Sequence, residues 1–171
     1  MSYTGSRYDF HDKHADYARL AQELAALLAG ESDLIANAAN AAALIFDALP
    51  EVNWAGFYFL KGGELIVGPF QGKPACVRIA LGRGVCGTAA AQRRTLVVPD
   101  VHQFPGHIAC DAASRSEIVV PLIAGGRLLG VLDIDSPRPA RFDEADARGL
   151  ESLAELIVLS IRGGCGHAGR E

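Results

Sequence analysis

The sequence predicts an α+β domain: a central antiparallel β-sheet with the N- and C-terminal helices packed on one face. Three observations carry that expectation. Apolar residues recur at helical spacing before Pro50 and again after Asp143, and short strand-like runs fill the middle. Two pairs of those runs are joined by glycine turns, Lys61-Gly62-Gly63 and Ala124-Gly125-Gly126-Arg127, which is the local signal of a β-hairpin. No internal repeat or low-complexity linker divides the chain, so a single domain is expected over residues 1–171, with a core at about 17–161, an arm at 1–11 and a tail at 163–171.

In order, the arm carries Tyr3, Tyr8 and Phe10, which are expected to lie on the domain or on a partner subunit. From Asp12, the positions Tyr17, Leu20, Leu24, Leu27 and Leu28 make one amphipathic helix that stops at Gly30. Ser32 is the expected N-cap of a second helix, with a stripe of Leu34, Ile35, Ala38, Ala42, Ile45, Phe46 and Leu49 ending at Pro50. Trp54 to Leu60 and Glu64 to Phe70 read as the first hairpin. Cys76 to Leu81 alternates as a strand with Val77, Ile79 and Leu81 on one face, and Val85 to Gln92 follows as a short helix after a glycine break. Cys86 falls in the first turn of that helix, where unpaired amides and the dipole favour a thiolate. Arg94 to Val98 is another strand, Pro99 to Ser114 is a long irregular loop, and Glu117 to Ile123 with Leu128 to Asp135 form a second, central hairpin. Phe142, Asp143 and Asp146 open the last helix, whose stripe runs through Leu150, Leu153, Leu156 and Ile157 to about Ile161.

Composition excludes several function classes. Half of the 171 residues are hydrophobic, the formal charge is −4, and Arg93-Arg94 is the only adjacent basic pair, so no stripe for a nucleic-acid backbone exists. The polar start MSYTGSRYDFHDKH and the lack of an apolar run near ~20 residues predict a cytoplasmic protein with no membrane segment. In that compartment the four cysteines are expected as free or cycling thiols. Cys76, Cys86 and Cys110 are spaced too widely for a zinc motif, and His102 or His107 does not restore one, so no metal is expected.

The candidate chemistry lies between Cys76 and Asp135. Cys110 sits beside Asp111 in the irregular loop, off any periodic apolar face, which favours function over packing. Cys165 lies in the glycine-rich tail and is expected to be a bystander. Asp133 and Asp135 alternate on a strand that is otherwise apolar, so they share a face, and Glu117 on the partner strand can supply a third carboxylate. Buried acids need partners, and a ligand ammonium group is a suitable one. Trp54 and Tyr58 share parity on the first hairpin, where plain core packing competes with a binding role.

The words NWAGFYF, GPFQGKPACVRI, GRGVCGTA, VPDVHQFPGHIACD, SRSEIVVPL and GVLDIDSP, with the FDEAD helix, closely resemble the GAF-domain family of free methionine-(R)-sulfoxide reductases from about Tyr17 to Ile161. The resemblance implies a GAF fold and a redox enzyme acting on free methionine sulfoxide. It implies Cys110 as the attacking thiol, Cys76 as the main resolving thiol and Cys86 as a second, alternative one. It further places Trp54, Tyr58, Glu117, Asp133 and Asp135 around the substrate and makes thioredoxin the reductant, with no cofactor. Such chemistry belongs to the response to oxidative stress. Two other functions remain open on the sequence: a GAF sensor of a small molecule, and a thiol redox sensor without turnover. An aromatic arm and terminal helices also suit a homodimer.

Overall fold

The computed structural model describes residues 8–108 and 111–162. Helices α1 (Lys13–Leu28) and α2 (Leu34–Ala48) lead into strands β1 (Trp54–Lys61) and β2 (Glu64–Gly72). Then come β3 (Arg78–Ala80), α3 (Gly84–Gln92), β4 (Leu96–Val98), a 3-10 turn at Val101–Gln103, β5 (Ser116–Ala124), β6 (Arg127–Ser136) and α4 (Glu144–Arg162). The strands form one sheet in the order β3-β2-β1-β6-β5-β4, with neighbours antiparallel throughout. β6 is therefore central beside β1, whereas β5 stands one place further out.

Local chemistry explains these boundaries. Asp12 caps α1 by accepting from the Ala15 amide at 3.1 Å, and Gly30 at φ +79° turns the chain away past its end. The second cap differs from expectation: Asp33, and not Ser32, accepts from the Ala36 amide at 2.8 Å. A carboxylate there meets the positive end of the helix as well as the orphan donor. Both hairpin turns place two successive glycines in the left-handed region, Gly62-Gly63 and Gly125-Gly126, which matches the twist of the strands they join. At α4, the Asp143 side chain accepts from the Asp146 amide at 3.1 Å, and the Asp146 side chain accepts in turn from the Asp143 amide at 2.9 Å.

Asp146 also ties the helical layer together. Fully buried, it accepts from the Tyr17 hydroxyl at 2.9 Å and pairs with Lys13 at 2.6 Å and Arg141 at 3.4 Å. Beside it Phe10 packs edge-on against Tyr17, and the Tyr8 hydroxyl donates to Glu23 of α1. The described part of the arm thus lies on its own domain. Tyr3 and the tail with Cys165 lie outside the described residues.

Strand parity divides the core in two. Ala55, Phe57 and Phe59 of β1, Ile118, Val120 and Leu122 of β5, and Leu132 and Ile134 of β6 pack under α1, α2 and α4, so the terminal helices share one face as expected. The opposite parity, Trp54, Tyr58, Val119 and Val131, meets α3 through Val85, Cys86 and Ala89. Among the described residues, no helix is long and apolar enough to cross a membrane.

One strand is much shorter than expected. β3 spans only Arg78–Ala80, with Cys76 in the irregular approach to it; of the alternating residues only Ile79 is buried, while Val77 is 61% and Leu81 40% exposed. The cause is in β2. Val67 still donates to the Val77 carbonyl, but between Val67 and Phe70 β2 shifts register against β1, and its pairing with β3 goes no further.

Candidate active site

Three strands build the floor of one pocket. Their register sets Trp54 beside Asp135 and Asp135 beside Glu117, and in the next row Gly56 beside Asp133 and Asp133 beside Val119. Tyr58 follows on β1, its ring 5.9 Å from that of Trp54, which is also stacked on Phe70 at 5.1 Å. Gly56 leaves this face open: a Cβ there would fall 2.2 Å from Cβ of Phe70, so any larger residue would displace the aromatic wall. The first turn of α3 forms one side with Gly84, Val85 and Cys86, and Lys73 to Ala75 with His107, Ile108 and Asp111 form the rim. The cavity measures about 40 Å³ as the space open to the centre of a water molecule. That is room for a few waters. All five candidate substrate residues, Trp54, Tyr58, Glu117, Asp133 and Asp135, line it.

Burial governs the electrostatics. Glu117 and Asp133 are each only 6% exposed. Desolvation pushes Glu117 and Asp135 well above the ordinary carboxylate range, reinforced in both by the charge of Asp133. Asp133 is raised less, to about 6, because hydrogen bonds from Glu117, Cys86 and the Ile134 amide offset part of its burial. Burial and these carboxylates likewise hold the Tyr58 hydroxyl protonated. Among the described residues, no lysine or arginine forms an ion pair with Glu117, Asp133 or Asp135. Asp133 Oδ1 is buried with no hydrogen-bond partner.

The cysteines divide by state. Cys86 is free and buried, and its thiol lies 3.8 Å from Glu117 Oε1. The thiolate expected from its place at the helix start is not favoured: burial, then Asp133 and Glu117, raise its pKa well above the ordinary thiol value. Half a unit charge of helix dipole is a weak influence beside desolvation and two nearby carboxylates. Cys76 is disulfide-bonded. Cys110, expected as the attacking thiol, lies outside the described residues.

Residues 12–161 match the GAF domain model. The chain is 54% identical to the free methionine-R-sulfoxide reductase of Escherichia coli over 82% of this chain and 86% of that protein. The chain belongs to the GAF-domain family, in the branch of the free methionine-R-sulfoxide reductases. It is also 58% identical to protein YtsP of Bacillus subtilis over 88% of this chain and 93% of that one. The solved free methionine-R-sulfoxide reductase of Neisseria meningitidis, in complex with its substrate, superposes with a TM-score of 0.90 at 43% identity, covering 98% of this chain and 99% of that chain. Both the GAF fold and the family resemblance expected from the sequence are borne out.

A polar clamp at the mouth of this GAF pocket escaped the sequence. Asn53, just before β1, donates from Nδ2 to Asp111 Oδ2 and to Ser114 Oγ, both at 3.1 Å, and its own amide donates to the Asp135 carbonyl. Asp111 accepts from the Ala113 amide and lies 3.7 Å from Lys73 Nζ, and these partners keep its carboxyl below the ordinary range. The Lys73 carbonyl in turn accepts from Trp54 Nε1 at 3.1 Å. The clamp thus joins the loop before Cys76 and the loop after Cys110 to the pocket's tryptophan. Its sole sequence signal is Asn53 standing directly before Trp54.

Proposed function

We propose that the pocket reduces the R epimer of free methionine sulfoxide to methionine, with Cys110 as the attacking thiolate and Cys76 as the thiol that resolves it. Branch membership supports the reaction class, an oxidoreductase acting on a sulfur group. The observation that carries the substrate assignment is the trio Glu117, Asp133 and Asp135, the first two buried and the third half-buried in one pocket beside Trp54, with no protein cation paired to them among the described residues. Carboxylates in such a place are costly unless a ligand cation completes them. The α-ammonium of a free amino acid fits; a methionine within a polypeptide has no such group.

Roles follow from the environments. Asp133, buried and standing in the row next to Asp135 and Glu117, has an oxygen without a hydrogen-bond partner, so it is the counter-ion of the ammonium. Glu117 or Asp135, both held protonated, delivers the proton that the sulfoxide oxygen needs as the S–O bond breaks. Trp54 packs its face on the S-methyl group and stabilises positive charge developing on sulfur. Release of methionine leaves Cys110 as a sulfenic acid, which condenses with Cys76 to a disulfide and water. The disulfide state of Cys76 and the free, protonated state of Cys86 support Cys76 as the resolving thiol. Thioredoxin then supplies two electrons by dithiol exchange.

The test is a single turnover. Reduced protein, freed of excess reductant, is incubated with the separate R and S epimers of free methionine sulfoxide, and methionine formed and thiols lost are counted. About one methionine per chain from the R epimer alone is expected, and none from Cys110→Ser. Thiol loss to peroxide but not to the sulfoxide would instead make the chain a redox sensor.

A further inference from the structure

The spacing of the cysteines argues against a zinc motif, yet the fold assembles three donors of another kind. Cys86 Sγ from α3, a Glu117 oxygen from β5 and an Asp133 oxygen from β6 lie within 4.8 Å of one another, all buried. We propose that in the reduced, substrate-free protein these three side chains bind a thiophilic divalent cation, zinc in the first place, and that the cation and the amino-acid substrate exclude each other. Only the exclusion clause rests on the reductase function.

Geometry and donor chemistry agree. A tetrahedral zinc ion with one sulfur near 2.3 Å and oxygens near 2.1 Å needs donor–donor separations of about 3.4 to 3.6 Å. Cys86 Sγ and Glu117 Oε1 already stand 3.8 Å apart and all three donors lie within 4.8 Å of one another, separations about an ångström or less from those a bound ion requires. An independent observation points to a missing ligand: Asp133 Oδ1 is buried without a hydrogen-bond partner. Asp135, beside Glu117 in the register, adds negative potential without being needed as a donor. A thiolate with two carboxylate oxygens in a cavity of about 40 Å³ suits a small, borderline-soft ion. Magnesium and calcium require six or more oxygen donors and are not served here. Binding transfers the thiol proton of Cys86 to water, with no change in oxidation state, and water completes the coordination. The ion then occupies the Asp133 oxygen that an ammonium group needs.

A triple variant, Cys76→Ser, Cys110→Ser and Cys165→Ser, leaves Cys86 as the chain's sole cysteine. Cadmium titration of that protein, followed by the ultraviolet thiolate-to-cadmium absorption, reads Cys86 directly, and equilibrium dialysis gives zinc stoichiometry and affinity. One ion per chain with the absorption band is expected; adding Cys86→Ser removes the band and weakens zinc by ~100-fold or more. Glu117→Gln keeps the thiol and the band but weakens zinc at least about tenfold, so the result does not hang on how one variant folds. No band in the triple variant, or zinc affinity within about threefold after Cys86→Ser or Glu117→Gln, overturns the site. For exclusion, zinc-loaded wild-type protein is expected to form no methionine from the R-sulfoxide until a chelator removes the ion, and full turnover with zinc still bound overturns that clause. If zinc-free protein also forms no methionine, the reductase function fails and the metal site, read by absorption, stands.

Discussion

Replacing Asp133 by asparagine should move stability and ligand binding in opposite directions. The folded protein raises this carboxyl from its ordinary 3.8 to about 6, with burial the main cause. At 1.36 kcal/mol per unit, the ionised group costs the native state up to about 3 kcal/mol at neutral pH. The sign follows from proton uptake. Between about pH 4 and 6 the folded chain holds a proton that the unfolded chain has lost, so stability falls as pH rises through that window. Asparagine carries no charge, and Asp133→Asn should therefore be more stable than the parent at about pH 8, by ~1–3 kcal/mol or several degrees in Tm, with the gain shrinking toward pH 4. Binding should suffer: losing one partner of a buried charge pair costs ~2–5 kcal/mol, which is about 30-fold to several thousand-fold in Kd. Scanning calorimetry at the two pH values and titration calorimetry of the R-sulfoxide into a Cys110→Ser background measure both. Unchanged affinity, or a stability loss at about pH 8, would refute the assignment of Asp133 as the ammonium's counter-ion.

Other substitutions probe the remaining parts. Cys76→Ser should still yield about one methionine in a first turnover but recycle poorly with thioredoxin, whereas Cys86→Ser should recycle normally; steady-state assays with thioredoxin distinguish them. Asp146→Ala removes the partner of Arg141, which is only 3% exposed, and should cost ~3–5 kcal/mol in urea unfolding. Gly87→Ala places a Cβ 2.3 Å from the Ala80 carbonyl oxygen, so α3 must lift from β3 at a cost of about 1–3 kcal/mol. Because α3 carries Cys86 and the pocket wall, kcat/KM should fall with stability in that variant.

What was legible in the sequence follows the range of the forces involved. Hairpins at Gly62-Gly63 and Gly125-Gly126, the Asp143 cap with Asp146 at the third position, and the shared face of Asp133 and Asp135 depend on neighbours a few positions apart or on strand parity. Misplaced features depend on distant partners. The helix start that favours a Cys86 thiolate is local, while the burial, Asp133 and Glu117, 31 positions away, that raise its pKa come from the tertiary fold. β3 is shorter than its own alternation implies because the register shift that ends its pairing lies in the facing strand, β2. The clamp of Asn53, Asp111 and Lys73 and the buried set of Tyr17, Arg141 and Asp146 carry no periodicity, since each joins polar residues from separate elements.

The most direct measurement compares free methionine-R-sulfoxide with its N-acetyl derivative, which keeps the sulfoxide and the carboxylate but has no ammonium group. If buried carboxylates select the free amino acid through its charge, kcat/KM for the acetylated compound should be lower by about 30-fold at least. Equal kcat/KM for the two compounds would contradict the account.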